Sequence, residues 1–284
     1  MNFLHSSILG LVEGLTEFIP ISSSGHLIVA RKIMGLPLTG TLSFDAIIQL
    51  AAGLAVVCYF WRDIMNILIA LFAWVSKKPA EEKYKNLISP IIIGSIPAVI
   101  LGLLLQKYMD TVFRGTWIVA ISLIAGSILF YFAERKFIRE TSEELSLLNE
   151  VPNRSESSYG VSPKKGFWIG CFQCLALLPG FSRSGATISG GLLLDLNRET
   201  AVRFSFLLSL PVILGSGLLK LLEIIKSGGL TSQGSSILWA SLFAFLSGLF
   251  AIHFLLKFLK NHSLNYFGIY RIILAIVILL FLNS

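Results

Sequence analysis

The sequence predicts an all-α polytopic integral membrane protein with inverted-topology internal repeats and two broken or re-entrant helical segments. Three observations support this fold class. Of the 284 residues, 55% are hydrophobic and 14% are charged, and the mean hydropathy is +0.78. Apolar runs recur along the chain, each close to the ~20 residues that a helix needs to cross a bilayer. Two further apolar segments are interrupted by Pro, Gly and clustered Ser.

Six uninterrupted apolar runs are predicted to span the bilayer: 44–61, 87–105, 117–133, 204–222, 237–259 and 267–282. Residues 64–75 form a shorter run, which predicts an interfacial helix or an extension of the preceding span. The two broken segments are residues 8–30 and 167–196. Non-helical backbone at membrane depth is tolerated only where it is buried in protein or lines a wet cavity. The interruptions are residues 13–26, which we call the first break, and residues 179–187, the second break. A site is therefore expected at these breaks.

The charged residues are few and lie mainly between the apolar runs. A soluble domain averages about 25% charged residues, so this chain is not expected to be water-soluble. The net charge of +7 is typical of Lys and Arg gathered in cytoplasmic loops, and nucleic-acid binding is not expected. The basic loops 77–86 and 134–165 are predicted to be polar and cytoplasmic, and loop 106–116 to face outward. Because membrane helices share one core, residues 1–284 are predicted to form a single membrane domain.

A shift of 160 positions relates the two broken segments. It places residues 22–25 (SSSG) on residues 182–185 (SRSG) without a gap. Repeat one covers about residues 1–76 and repeat two about residues 166–236. The loop charges predict that the two repeats run in opposite directions through the membrane. Inverted repeats with broken helices typically form a binding site where they meet near the midplane, so we expect the two breaks to lie together.

The first break carries carboxylates, hydroxyls and a histidine. Glu13 and Glu17 are four residues apart, which places them on one helical face. They suit a divalent cation such as Mg²⁺ or Ca²⁺, or a carboxylate pair that shares a proton. Ser22 and Ser23 precede a restarting helix, whose free N–H groups favour phosphate, and Ser23 is a candidate nucleophile or a helix cap. His26 is a candidate general acid or base.

The second break carries an arginine among hydroxyls. Arg183 lies in a Gly- and Ser-rich interruption of an apolar segment, which is typical of an anion site. Its planar guanidinium binds phosphate oxygens in a bidentate way, and the hydroxyls of Ser182, Ser184 and Thr187 add donors. These residues are therefore the predicted substrate-binding set, together with Ser22.

Four other polar residues give weaker signals. Asp45 and Gln49 either line the same cavity or satisfy each other. Tyr270 and Arg271 lie near the last span and are predicted to be an interfacial anchor.

The two breaks resemble a known family over their whole motifs. Residues 13–26 read EGLTEFIPISSSGH and resemble the E-G-x-T-E-F-x-P-x-S-S-x-G-H segment of the bacterial undecaprenyl-diphosphate phosphatases, the BacA/UppP family. Residues 179–187 read PGFSRSGAT and are similar to that family's P-G-x-S-R-S-G-x-T motif. The order, spacing and hydrophobic layout match over essentially the whole chain, with no departure at the motif positions.

The resemblance implies a multi-pass enzyme of the bacterial cytoplasmic membrane that hydrolyses undecaprenyl diphosphate to undecaprenyl phosphate and inorganic phosphate. Such an enzyme recycles the lipid carrier of cell-wall synthesis and confers resistance to bacitracin. In that family the reaction depends on Mg²⁺ or Ca²⁺. The resemblance further implies that Glu17 with Glu13 serves the metal or the proton transfer, and that Arg183 binds the diphosphate. His26 and Ser23 are then the candidates for acid–base and nucleophilic roles.

Two mechanisms and a second class of function stay open at this point. In one mechanism Ser23 attacks the terminal phosphorus while His26 or Glu17 takes its proton. In the other, Glu17 and the metal activate a water, and Ser23 only donates a hydrogen bond. Inverted repeats also suit a transporter or flippase for an anionic polyprenyl lipid. The expected partners are the membrane, a polyprenyl diphosphate and, in a homodimer, a second copy of the chain.

Overall fold

A computed structural model describes residues 2–38, 41–111, 115–147, 160–226 and 229–281. Within these ranges the backbone forms α-helices and one short 3₁₀ turn, Leu175–Leu177, without any strand, as the fold class predicted. The helices are α1 Phe3–Phe18, α2 Ser23–Ile33, α3 Leu42–Tyr59, α4 Trp61–Val75, α5 Glu82–Thr111, α6 Thr116–Leu147, α7 Pro163–Cys174, α8 Arg183–Leu193, α9 Arg198–Lys226, α10 Gly229–Asn261 and α11 Asn265–Phe281.

Several of these helices are long and apolar enough to cross a membrane. In the described part of the chain four such stretches are Glu82–Leu105, Thr116–Ser142, Arg198–Lys226 and Gly234–Asn261. α3 and α4 meet the same criterion together, but they are bent by 82° where they join at Phe60. Residues 64–75 therefore belong to a separate helix, α4, which either completes a broken span with α3 or forms a re-entrant segment with it. The chain is a multi-pass membrane protein.

The predicted loops are shorter in the structure because helices continue into polar sequence. α6 runs on to Leu147, so the prediction that a polar loop begins at residue 134 is wrong for residues 134–147. An ion pair one turn apart supports the helix here, since Lys136 Nζ lies 3.3 Å from a carboxylate oxygen of Glu140. Residues 148–159 of that loop lie outside the described residues. α5 likewise extends into the predicted loop 106–116, of which residues 112–114 lie outside the described ranges, and α9 continues to Lys226.

Glycines let each half of the chain pack closely against the other. α1 lies along α10, and a Cβ on Gly10 would come within 2.1 Å of the Ala240 carbonyl oxygen. α7 lies along α5, and a Cβ on Gly170 would come within 2.1 Å of the Gly94 carbonyl oxygen. Small residues permit this approach of membrane helices. Gly10 and Gly170 are repeat-equivalent, so the helix before each break packs on the opposite half.

The short helices α2 and α8 differ in how deeply they are buried. α8 packs against α6, α7 and α9, and every residue from Ser184 to Leu192 is buried. α2 packs on α1 and buries only Gly25, Leu27 and Arg31. The second break is therefore enclosed by the bundle, whereas the helix that follows the first break keeps a more open side.

Candidate active site

Both breaks turn through the same backbone conformation. Ser22 has φ 76° and ψ 100°, and Ser182 has φ 72° and ψ 117°, in a region that residues with a side chain rarely adopt. Each serine then caps the helix that follows. The Oγ atom of Ser22 accepts a hydrogen bond from the Gly25 N–H at 3.3 Å, and that of Ser182 from the Gly185 N–H at 3.2 Å. The 160-residue relation therefore holds for backbone geometry as well as for sequence.

The two breaks lie against each other, as the repeat predicted. The Gly180 N–H donates to Ser24 Oγ at 3.2 Å, and Ser184 Oγ donates to the Glu17 carbonyl oxygen at 3.3 Å. α2 and α8 both begin at this contact. A helix N-terminus presents backbone N–H groups and a partial positive charge, so the place where two of them meet favours an anion.

Glu17 is the side chain on which both breaks converge. It ends α1 and is 5% exposed. Its Oε2 accepts a hydrogen bond from Ser23 Oγ at 2.7 Å, and its Oε1 accepts from Arg183 Nη2 at 3.2 Å. Gln49 Nε2 of α3 donates to the same Oε1 at 3.0 Å. Ser23 and Arg183 are repeat-equivalent, so matching positions of the two breaks bind the two oxygens of one carboxylate.

Arg183 uses only part of its donor capacity on Glu17. Its Nε and Nη1 atoms are buried and have no hydrogen-bond partner among the described residues. Unpaired buried donors cost free energy, and phosphate oxygens are the acceptors that a guanidinium binds most strongly. The arrangement thus leaves Arg183 with donors for a phosphate while Nη2 keeps it next to Glu17.

Glu13 lies one turn before Glu17 on α1 and is 2% exposed. Its Oε2 is buried and has no hydrogen-bond partner in the described part of the chain. Magnesium is usually held by one or two carboxylates together with water and substrate phosphates. The described residues contain no group of three or more His, Cys, Asp and Glu side chains that could hold a metal, so a cation here would need such outside ligands. On that basis the two carboxylates fit Mg²⁺ or Ca²⁺.

His26 has both ring nitrogens occupied by groups other than Ser23. Its Nδ1 lies 2.7 Å from the Ser22 carbonyl oxygen, so in the neutral ring Nδ1 carries the hydrogen. Its Nε2 lies 2.8 Å from the Tyr270 hydroxyl, which then donates to it, and the two rings are parallel. His26 therefore holds the backbone of the first break, and the carboxylate of Glu17 is the group that contacts Ser23.

The hydroxyls predicted to bind substrate are engaged with the protein. Ser22 and Ser182 cap α2 and α8, and their Oγ atoms also lie 3.2 Å from Ser24 Oγ and Ser184 Oγ. Thr187 is fully buried and donates to the Arg183 carbonyl oxygen at 2.9 Å. These bonds shape the two breaks. Substrate binding by the four predicted hydroxyls stays a prediction.

The structure answers the weaker predictions for four residues: Asp45, Gln49, Tyr270 and Arg271. Gln49 bonds to Glu17, and Asp45 pairs with Arg31 at 2.5 Å. The prediction of an interfacial anchor is wrong for Arg271 and stays a prediction for Tyr270. Arg271 is 0% exposed, and Tyr270 is bonded to His26. The available signal was the position of Arg271, an arginine four residues inside a predicted span.

The chain is similar to known proteins over nearly its whole length. Residues 6–277 match the family model described as Bacitracin resistance protein BacA. Undecaprenyl-diphosphatase 1 of Corynebacterium jeikeium is 39% identical over 286 residues, which cover 100% of this chain and 96% of that protein. The undecaprenyl-diphosphatases of Renibacterium salmoninarum and Pelodictyon phaeoclathratiforme are 38% and 39% identical, covering 100% and 98% of this chain and 97% and 96% of their own lengths. The chain belongs to the BacA family.

Proposed function

We propose that this protein is a membrane phosphatase that hydrolyses undecaprenyl diphosphate to undecaprenyl phosphate and inorganic phosphate. Family membership and the names of the relatives support this substrate. The observation that carries the proposal is the convergence on Glu17 of a hydroxyl from one break and a guanidinium from the other. A base on a nucleophile beside a phosphate-binding cation is what phosphoryl transfer requires.

In the mechanism that the contacts favour, Ser23 is the nucleophile and Glu17 the general base. Ser23 Oγ attacks the terminal phosphorus and its proton passes to Glu17 Oε2, 2.7 Å away. The bond from phosphorus to the bridging oxygen breaks, and undecaprenyl phosphate leaves with the electron pair. The proton on Glu17 is passed to the departing undecaprenyl phosphate, which restores the carboxylate. A water then attacks the phosphoserine and gives its proton to Glu17, the bond from phosphorus to Ser23 Oγ breaks, and Glu17 returns the proton to Oγ as inorganic phosphate is released. Arg183 and the N–H groups of α2 and α8 stabilise the charge on the phosphoryl oxygens.

The alternative mechanism uses the same residues without a covalent intermediate. Glu17 then activates a water, and Ser23 only donates a hydrogen bond. Acid quenching in a single turnover, followed by mass spectrometry of the peptide that contains Ser23, separates the two. The covalent mechanism predicts phosphoserine at residue 23 and a loss of turnover of about 10³-fold or more in Ser23→Ala. Unmodified Ser23 throughout the turnover, or near-normal turnover of Ser23→Ala, would favour the water.

We also propose that Glu13 and Glu17 hold Mg²⁺ or Ca²⁺ with the diphosphate. The unpaired Oε2 of Glu13 supports this assignment. When bound, the cation would neutralise charge on the phosphate oxygens. Phosphate release is expected to stop when EDTA removes divalent cations and to return when Mg²⁺ or Ca²⁺ is added. Full activity in EDTA would contradict this metal role and leave the rest of the proposal standing.

We propose that the protein lies in the bacterial cytoplasmic membrane, where recycling of the undecaprenyl lipid carrier would reduce sensitivity to bacitracin. A homodimer is the oligomeric state that we propose to test, by light scattering of the purified protein with detergent subtracted.

A phosphate-release assay separates this enzyme from a transporter of the same lipid. Purified protein in detergent is mixed with undecaprenyl diphosphate and Mg²⁺, conditions in which no lipid can be moved across a membrane. We expect multiple turnovers of inorganic phosphate. A transporter without chemistry would release none, and that result would contradict the proposed function.

A further inference from the structure

Arg271 is the largest fully buried side chain of the described residues, and the mechanism above does not use it. It lies in α11, 0% exposed, and its guanidinium donates to three backbone carbonyl oxygens. Nη1 donates to Pro20 at 3.4 Å, and Nη2 donates to Gly180 at 3.1 Å and to Ser122 at 3.3 Å. A buried arginine costs free energy in a membrane protein and is rarely found there without a function.

Two of the three carbonyls are equivalent in the repeat. Pro20 and Gly180 are 160 residues apart, and each lies two residues before the serine with the left-handed backbone, Ser22 or Ser182. One guanidinium therefore joins the two breaks at matching points. Each point lies three residues before the side chain that contacts Glu17, which is Ser23 in the first break and Arg183 in the second.

The neighbours of Arg271 leave space for a planar cation. A Cβ on Gly126 of α6 would come within 2.1 Å of Arg271 Nη2, so this glycine makes room for the guanidinium. The ring of Phe130, one turn further along α6, lies 4.7 Å from the guanidinium carbon. Phe130 in turn fills the space above Gly185, where a Cβ would come within 2.4 Å of the ring. The same aromatic ring thus contacts both Arg271 and the start of α8.

We propose that Arg271 is a positioning residue that holds the two breaks at the separation which brings Ser23 and Arg183 onto the two oxygens of Glu17. The inference rests on the proposed function, and it adds a residue outside both motifs. Arg271 acts through the backbone of Pro20 and Gly180 and donates to none of the three site side chains. Because misplacement of reacting groups by about 1 Å can cost 10²-fold in rate, loss of this link would slow catalysis even in a folded protein.

The first test compares Arg271→Lys and Arg271→Met with the wild type by hydrogen–deuterium exchange in detergent. The Lys ammonium is a compact point charge and lacks the two separated nitrogens, Nη1 and Nη2, with which Arg271 reaches the two carbonyls. We expect peptides over residues 15–27 and 175–189 to exchange faster, by about tenfold or more, in both variants. Arg198→Met is the control, because Arg198 is another arginine with a buried partner, the Glu134 carboxylate, and it donates no hydrogen bond to either break. It should leave the exchange of both peptides unchanged. Unchanged exchange in Arg271→Lys, or loosening of one break alone, would overturn the inference.

The second test measures phosphate release. In folded protein we expect kcat to fall about tenfold in Arg271→Lys and about 100-fold in Arg271→Met, with KM little changed. In an Arg183→Ala background the Arg271→Lys loss should shrink to about twofold, since there is no guanidinium left to position. Wild-type kcat in Arg271→Lys, or full multiplication of the two losses, would contradict the inference. Absence of phosphate release from the wild type would instead contradict the proposed function, and the exchange test would still judge Arg271.

Discussion

The first and second breaks have nearly the same backbone and very different side chains. Ser22 and Ser182 adopt matching dihedral angles, and both cap the helix that follows. At the next position the first break has Ser23 and the second has Arg183. Where the first has Glu17 and His26, the repeat-equivalent positions of the second are Leu177 and Ala186. The first break therefore carries the carboxylate and the hydroxyl that bond to each other, and the second carries the arginine.

This difference explains why neither break is a site by itself. In the proposed mechanism Ser23 has its base in the first break but no cationic side chain there, and Arg183 has no carboxylate in the second break. The duplicated backbone brings two helix N-termini together, and the diverged side chains divide the chemistry between them. The predictions below test that division, beginning with the residue that both breaks share.

Replacing the shared carboxylate should have the largest effect. Glu17→Gln keeps the shape and a hydrogen-bonding group but cannot accept the Ser23 proton. We expect kcat/KM for phosphate release to fall about 10⁴-fold, as for the loss of a residue in a coupled catalytic unit. Glu140→Gln, a partly exposed glutamate of α6, is the control and should be near wild type. Glu17→Gln with more than a tenth of wild-type activity would remove Glu17 from the mechanism.

Replacing Arg183, the arginine of the second break, should lower kcat/KM somewhat less. Arg183→Ala loses the donors that would contact the phosphate, and we expect about a 10³-fold loss of kcat/KM. Arg183→Lys keeps the charge but loses the planar donor geometry, and it should recover part of the rate. Steady-state phosphate release gives both values. Equal activities of the alanine variant and the wild type would show that the second break does not bind substrate.

Replacing Gln49 should lower kcat/KM less than replacing Glu17 or Arg183, because Gln49 acts only through its hydrogen bond to Glu17. Gln49→Leu removes a hydrogen bond to a charged group, which predicts a loss of about tenfold in kcat/KM. Asp45→Asn, one turn earlier on α3, is the matched comparison, since Asp45 pairs with Arg31. Asp45→Asn should lower the thermal stability and change kcat/KM less than Gln49→Leu does. A larger loss of kcat/KM in Asp45→Asn than in Gln49→Leu would contradict the role of Gln49.

The smallest decrease in kcat is expected when His26, which has no counterpart in the second break, loses its hydrogen bond to Tyr270. Tyr270→Phe leaves His26 Nε2 without its donor, and the loss of one neutral hydrogen bond predicts about a fivefold decrease in kcat. Tyr266→Phe, one turn earlier on α11 and exposed, should leave kcat unchanged. If both variants behave alike, the Tyr270 hydroxyl does not orient His26.

The sequence predicted the helical membrane fold and the meeting of the two breaks because local signals specify both. Long apolar runs require spanning helices, and Pro, Gly and Ser interrupt them where the backbone must turn. Glu13, Glu17, Ser23 and Arg183 stood out because charges and clustered hydroxyls are rare in apolar sequence.

Other features depend on packing that no local pattern records. Gln49 joins Glu17 only because α3 lies beside the end of α1, and Arg271 is buried only because α11 lies against α6. The charged residues after Ala133 indicate a solvated segment, yet they do not tell a loop from a continuing helix. In the structure α6 continues to Leu147. Such features follow from tertiary contacts between residues far apart in the chain.

The central claim is that both breaks form one catalytic site around Glu17. A double-mutant cycle on kcat/KM for phosphate release from undecaprenyl diphosphate tests it directly, with Ser23→Ala, Arg183→Ala and the double variant compared in folded, purified protein. Members of one catalytic unit are strongly non-additive, so we predict that the double variant is no more than about tenfold slower than the slower single variant. Full multiplication of two large losses, or wild-type turnover in both single variants, would contradict the claim.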